Sequence, residues 1–366
     1  MLTAQVAYLN MNQGLGTEPF WKPHRPSFKA LDKLVDILRE MPCPRIFGAS
    51  EVSQLEWLSR QNVYQRIKDG ARFKYAEYGG NFKFPLAIKF EVGNALFSDL
   101  PIDDKKIGAF PCTVPFVGAH SALLGSRTFL MNKVTHDNGS LYVIISHLSL
   151  LFKSHRMTAA RLLAKIGRRI DGPAILMLDA NSPPVYVPDS KRYNYGSNIF
   201  KYLWFYLVHG KTDGDWTSDD NRLDRTINAL EYGFPKDMCP VSCYKKVLHS
   251  DENKQYKTFE NRIIDYSIGK DVPDAKCYHI VDEKISDHKM IAFKLELPNK
   301  YAICRNLEGL LIPPEETLPC TIVKTASTVP RIPQRIWTAA KSAGAYASNS
   351  LKSPLKKLAK RIESIF

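Results

Sequence analysis

Residues 173–181 read PAILMLDAN, an apolar run that stops at Asp179 and Asn181. Its length fits a buried strand better than a helix. An ionised carboxylate taken into a core costs several kcal/mol unless it is paired, hydrogen-bonded or bound to a metal. Asp and Asn at this place can simply start a turn, because their side chains bond their own backbone. They can also belong to a site built where a core strand surfaces. The rest of the chain bears on which reading holds.

Other segments end in the same way. LYVIISHL (141–148) runs into His147, and RIFGASEV (45–52) reads as a buried strand ending at Glu51. RIIDYSIGKD (262–271) carries Asp265 in an otherwise apolar strand. AQVAYLNMN (4–12) is a strand ending at Asn10, with Asn12 a competitor for the same position. EKISDHKMIAFKLEL (283–297) places Asp287 and His288 before a strand whose apolar face is Ile291, Phe293, Leu295 and Leu297. Turn chemistry accounts for one such residue, not for a series of them, and α/β folds assemble sites at strand ends. Glu51, Asp179, Asp265 and Asp287 cannot share a pocket as four free anions. A divalent cation and a histidinium relieve that repulsion. Carboxylate and amide oxygens suit a hard ion, Mg²⁺ or Mn²⁺. The implied chemistry is metal-assisted attack of water on phosphorus.

Helical spacing marks SFKALDKLVDILREM after an N-cap at Ser27, a helix over about 53–67, the basic SHRMTAARLLAKIGRRI (154–170) and the aromatic SNIFKYLWFYLVHG (197–210). FPLAIKF, NALFS and TFLMNKV read as short strands, and the polar residues 211–256 as a substrate loop. The mixture predicts a large α/β sandwich. The 366 residues carry a formal charge of +14, half of it in residues 300–366. That excess points to an anionic partner. The predicted organisation is a catalytic domain over 1–299, a Pro-containing linker over 300–334 and a basic amphipathic helical tail over 335–366. Leu355, Leu358, Ile362 and Ile365 line one face of that tail. Seven cysteines show no disulfide framework, and Cys239 with Cys243 is a weak zinc signal. Free thiols, no signal peptide and no apolar run of membrane-spanning length predict an intracellular, monomeric protein.

The order Asn10, Glu51, GNALFS (93–98), SHL (146–148), LDAN (178–181), IDY (264–266), SDH (286–288) resembles the endonuclease/exonuclease/phosphatase superfamily, the deoxyribonuclease-I-like fold. The resemblance covers residues 4–297. It implies a four-layer sandwich of two mixed β-sheets flanked by helices, and a Mg²⁺-dependent phosphodiesterase. By resemblance, Glu51 is the main metal ligand with Asn10 and Asp287. Asp179 orients or deprotonates water, or protonates the leaving oxygen. Asn181 and His147 bind phosphate, Asn10 lies against the substrate, and His288, held by Asp265, stabilises the phosphorus centre. Four positions depart from the family pattern: Ser50, Ser146, Leu178 and Asp99. Asp99 stands where a basic residue is common, so it is expected to alter substrate choice by repelling phosphate. Nucleic acid is the expected substrate. The alternatives are a lipid or small-phosphoester hydrolase held to anionic membrane by the tail, and an inactive binding module.

Overall fold

The structure is a computed structural model. It describes residues 2–11, 28–55, 62–83, 90–110, 127–149, 153–181, 226–240, 255–256, 258, 263–307 and 310–311. Ser27, Asn12, the aromatic segment 197–210, most of the polar stretch 211–256, Cys243 and residues 312–366 lie outside them.

Two six-stranded mixed sheets face each other. The first runs β12 (Lys276–Val281), β13 (Met290–Glu296), β1 (Thr3–Asn10), β2 (Arg45–Leu55), β4 (Phe90–Ser98), β3 (Tyr75–Lys83). The second runs β10 (Lys236–Asp237), β11 (Asp265–Lys270), β9 (Ala174–Asp179), β7 (Gly139–His147), β6 (Thr128–His136), β5 (Ile102–Ala109). β1 pairs β2 in parallel, as β7 does β9; the other pairs are antiparallel. Helices α1 (Phe28–Glu40) and α2 (Val63–Gly70) cover the first sheet, while α3 (Lys153–Arg169) and α4 (Thr226–Glu231) cover the second. The expected four-layer α/β sandwich is therefore the architecture found.

The layers follow from the strand period of two. In β1, Ala4, Val6 and Tyr8 enter the core between the sheets, while Ala7 and Leu9 face the helices. In β9, Ile175 and Met177 face inward, and Ala174, Leu176 and Leu178 pack under α3. A strand buried on both faces reads as an unbroken apolar run, which is why AILML shows no alternation. Gly48 lets the sheets close up: a Cβ there would lie 2.4 Å from Ile145 Cδ1. In α1, Leu31, Leu34, Val35 and Leu38 are the buried stripe that the spacing predicts.

Three expectations shift. β2 does not stop at Glu51 but continues to Leu55. The helix expected over 53–67 accordingly starts at Val63, where the Asn62 side chain accepts from Gln65 N at 3.1 Å. A boundary after residue 299 would also cut through packed structure. β14 (Ile303–Cys304) pairs with β8 (Ile170–Asp171), Ala302 N donates to Ser140 Oγ at 2.8 Å, and Ala302 and Leu307 are buried. The chain instead divides between Leu318 and Pro319. Among the described residues no helix is long and apolar enough to cross a membrane.

Candidate active site

Strand register assembles the cluster. His147 lies opposite Asp179 across β7 and β9, and Asp179 opposite Asp265 across β9 and β11. Each continues the series that faces the other sheet, so three chemically active side chains stand in a row at one end of the inter-sheet core. Asn10 reaches them from β1, donating from Nδ2 to Asp179 Oδ2 at 2.8 Å. His288 arrives from the turn before β13, its Nδ1 2.8 Å from Asp265 Oδ2 and its Nε2 3.8 Å from Asp179 Oδ2. Asn10, His147, Asp179, Asp265 and His288 are all buried. The pairing expected of Asp265 and His288 is thus present in space.

Glu51 is aimed by a β-bulge. Ala49 pairs with Ala95 and Val52 with Gly93, so Ser50 and Glu51 together oppose Asn94. In an unbroken strand Glu51 would follow Phe47 and Ala49 toward the helices. The extra residue, with Glu51 at φ 53°, turns it to the inter-sheet side instead. A left-handed Glu is uncommon and strained. Its Oε1 ends 3.2 Å from His147 Nδ1 and 3.5 Å from Arg127 Nη1. Burial pushes the Glu51 carboxyl up, but His147, Arg127 and His288 outweigh it and hold it at about 2.

The turn reading of LDAN and the site reading both hold. Asn181 N donates to Asp179 Oδ1 at 2.8 Å, an Asx turn, with Asn181 at φ 48°. The Asn181 amide then donates to Leu148 O at 3.0 Å and lies 2.7 Å from His147 Nε2. Asp287 is exposed at the rim, and its Oδ1 accepts from Ser286 Oγ at 3.1 Å. All eight residues singled out in the sequence therefore converge on this strand-end region.

Burial lowers the His288 imidazole, yet Asp265, Asp179 and Asp287 raise it further, to about 10. It is an imidazolium at neutral pH. Burial first, and Asp179 second, raise Asp265 against the lowering by His288.

Three residues at the cluster were not marked by the sequence. Arg127, just before β6, puts Nη1 2.5 Å from His147 Nδ1. Thr258 Oγ1 accepts from Asp265 N at 3.1 Å and Ile264 N at 3.2 Å, fixing the start of β11. Tyr8 Oη lies 2.8 Å from Ser50 Oγ and 3.5 Å from Ser146 O, bridging the residues before Glu51 and His147. In GNALFS it is Asn94 that serves the region: its amide donates to Thr128 O at 3.0 Å, next to Arg127.

Asp99 is a correction. β4 runs antiparallel to β2, so its last residues lie beside Arg45, at the opposite end of the sheet from Glu51. Asp99 accepts from Arg45 Nε at 2.8 Å, Arg45 Nη2 at 2.9 Å and Arg45 N at 2.8 Å. It holds an arginine and cannot meet a phosphate at the cluster.

The donor set fits a hard divalent cation. Asp179, Asp265 and His288 each offer one ligand atom within 4.8 Å of the others. His288, as an imidazolium, has no lone pair to give, and Asp265 Oδ2 is engaged by it. Asp265 Oδ1 has no hydrogen-bond partner among the described residues. Further oxygens in this region are carried by Asp287, the Asn10 amide and Glu51, whose carboxyl is held at about 2 and whose Oε1 lies beside His147 and Arg127.

No family model matches the sequence, and no curated protein matches it. Solved structures do resemble the fold. A Beutenbergia cavernae endonuclease/exonuclease/phosphatase superposes with a TM-score of 0.51 at 17% identity, over 81% of this chain and 72% of its own. An endonuclease/exonuclease/phosphatase from Bacteroides vulgatus gives 0.51 at 14% identity, over 81% of this chain and 100% of its own. A humanized D. rerio TDP2 gives 0.50 at 12% identity, over 81% and 99%. With two facing six-stranded sheets and this strand-end cluster, the chain has the endonuclease/exonuclease/phosphatase fold, the deoxyribonuclease-I-like sandwich that its seven motifs imply.

Proposed function

We propose that the protein is a divalent-metal-dependent phosphoesterase that hydrolyses phosphodiester bonds in nucleic acid. The observation that carries this reading is the Asp265–His288 pair, 2.8 Å apart, which brings His288 from the first sheet to Asp265 and Asp179 on the second, beside His147 and Asn181. The ion would be held by Glu51, Asp287 and Asn10, and would neutralise charge on the phosphate oxygens when bound.

The chain's own groups do the rest. Asp179, oriented by Asn10 and its own Asx turn, accepts the proton of the attacking water. The water oxygen bonds to phosphorus as the bond to the leaving oxygen breaks. His288, kept charged by Asp265, stabilises the negative phosphoryl oxygens and can give its Nε2 proton. His147 and Asn181 bind the phosphate, with Arg127 beside them. The complete set weighs against an inactive binding module. The excess positive charge supports a polyanionic substrate.

The test is a panel of DNA, RNA, phospholipid and sugar-phosphate substrates with Mg²⁺ or Mn²⁺. Hydrolysis of nucleic acid is expected, lost in Asp179→Ala and in excess EDTA, with Glu51→Gln also binding metal more weakly. Activity that survives EDTA would falsify the metal dependence. Preferential hydrolysis of phospholipid would replace nucleic acid by the lipid reading.

A further inference from the structure

The end of the sandwich away from the cluster gathers charge and apolar surface that hydrolysis does not call on. The seventeen residues of α3 include six Lys or Arg and no acid. Arg161, Lys165, Arg168 and Arg169 are exposed. Arg305, also exposed, donates its backbone N to Arg169 O at 3.3 Å, and the β14–β8 pairing sets Ile303 opposite Asp171. Gly233 packs so closely on α3 that a Cβ there would lie 2.4 Å from Ala164 O, which puts Tyr232 beside the helix.

The three most exposed large apolar side chains of the described residues border these elements: Tyr232 at 78% follows α4 beside α3, while Tyr301 at 56%, its hydroxyl donating to Asp137 O at 3.4 Å, and Ile303 at 43% flank the β14–β8 pair. Of the acids at this end, Asp171 is met by Lys300 at 3.4 Å and Asp274 by Lys236 at 2.8 Å, Glu231 ends α4, and Asp137 and Asp271 are exposed in the turns after β6 and β11. Arginines at a helix C-terminus favour the dipole, which accounts for Arg168 and Arg169. It does not account for Arg161 and Lys165 further up the helix, nor for bare tyrosine and isoleucine.

We propose that this end of the domain docks on an anionic lipid bilayer. Basic side chains pair with headgroup phosphates, while tyrosine rings and an isoleucine enter the interfacial layer. Nucleic-acid phosphates would satisfy the arginines too, but an exposed aliphatic side chain gains nothing from a phosphate backbone. The placement has a consequence. Ala174 opens β9 at this end and Asp179 closes it, five residues or roughly 17 Å further on. A domain docked this way holds its strand-end cluster away from the bilayer, toward phosphoesters presented from the water rather than lipids of the same leaflet.

The experiment is flotation of the full chain with vesicles of phosphatidylcholine, with and without 30% phosphatidylserine (roughly the anionic fraction that sets a useful surface potential). A duplex DNA binding assay runs beside it. One variant is Arg168→Gln/Arg169→Gln/Arg305→Gln, and the second is Tyr232→Ser/Ile303→Ser. Each basic residue near an anionic surface is worth roughly fivefold in partitioning. The triple variant should thus need on the order of 100-fold more anionic vesicle for half-binding. The second variant should lose vesicle binding while keeping its salt dependence. Both should bind duplex DNA and hydrolyse a small soluble phosphodiester as the wild type does. Unchanged vesicle binding in both variants overturns the proposal. So does loss of DNA binding with vesicle binding intact, which would make the patch a nucleic-acid surface. Binding does not depend on catalysis, so a wild type without hydrolytic activity would sink the proposed function and leave docking to be judged on the vesicles.

Discussion

Asp99→Asn separates two views of one residue. If Asp99 tuned substrate choice, neutralising it would alter hydrolysis and leave stability nearly intact. The structure predicts the reverse. The Asp99 and Arg45 side chains are 9% and 6% exposed, and three charge-assisted hydrogen bonds join them. Arg45 also donates to Leu38 O at 2.6 Å and lies 4.5 Å over the Phe73 ring, so it cannot swing out to water. Removing one partner of a buried pair costs about 3–5 kcal/mol, because the other charge stays behind. Asn keeps the shape and some hydrogen bonds, so a smaller cost of about 2–3 kcal/mol is expected for it. Urea unfolding at pH 7 reads this as a lower midpoint, while kcat/KM below the transition stays within about twofold. The sign with pH follows from the depressed Asp99 pKa: burial raises it, but the Arg45 hydrogen bonds and charge lower it further. Its contribution is present above the unfolded value of 3.8 and fades as pH falls through the folded value. The stability gap between wild type and Asp99→Asn should therefore narrow below about pH 4. A midpoint unchanged at pH 7, or a large change in substrate preference, refutes the placement.

Asp265→Asn, His288→Ala and the double variant should each lose activity to similar extents, since residues acting as one unit are strongly non-additive; fully multiplicative losses would mean that they act independently. Tyr8→Phe removes the hydroxyl 2.8 Å from Ser50 Oγ; we expect about 1 kcal/mol of stability lost together with a severalfold drop in kcat, and a drop in stability alone would reduce Tyr8 to packing. A chain ending at Leu318 should keep the urea midpoint of the full chain. One ending at Lys300 should unfold earlier, because β14, Ala302 and Leu307 are gone; equal midpoints would restore the boundary at 299.

The layers of the sandwich were legible because their signal is local. AILML, LYVIIS and the largely apolar VAYL of β1 each state in a few residues that both strand faces are buried, and Asp179, His147 and Asn10 mark where those strands surface. Residues that break an apolar run can be seen without knowing what they will meet. Glu51 was visible as an acid at a strand, but its direction was not. Alternation points it at the helices, and only the bulge opposite Asn94 reverses it, a property of strand pairing rather than of β2 itself. Asp99 misled for the same reason: it is adjacent in sequence to GNALFS, yet the antiparallel course of β4 carries it to the far end of the sheet. Arg127 lay between the two cases. Asp137 and Asn138 form a two-residue hairpin turn before Gly139, and that turn alone sets Phe129 opposite Ser146 and leaves Arg127 near His147. What the sequence determined was which residues leave the core at strand ends. What the tertiary structure decided was which strand ends meet, since side-chain chemistry is encoded residue by residue while strand direction, register and bulges belong to pairs of segments far apart in the chain.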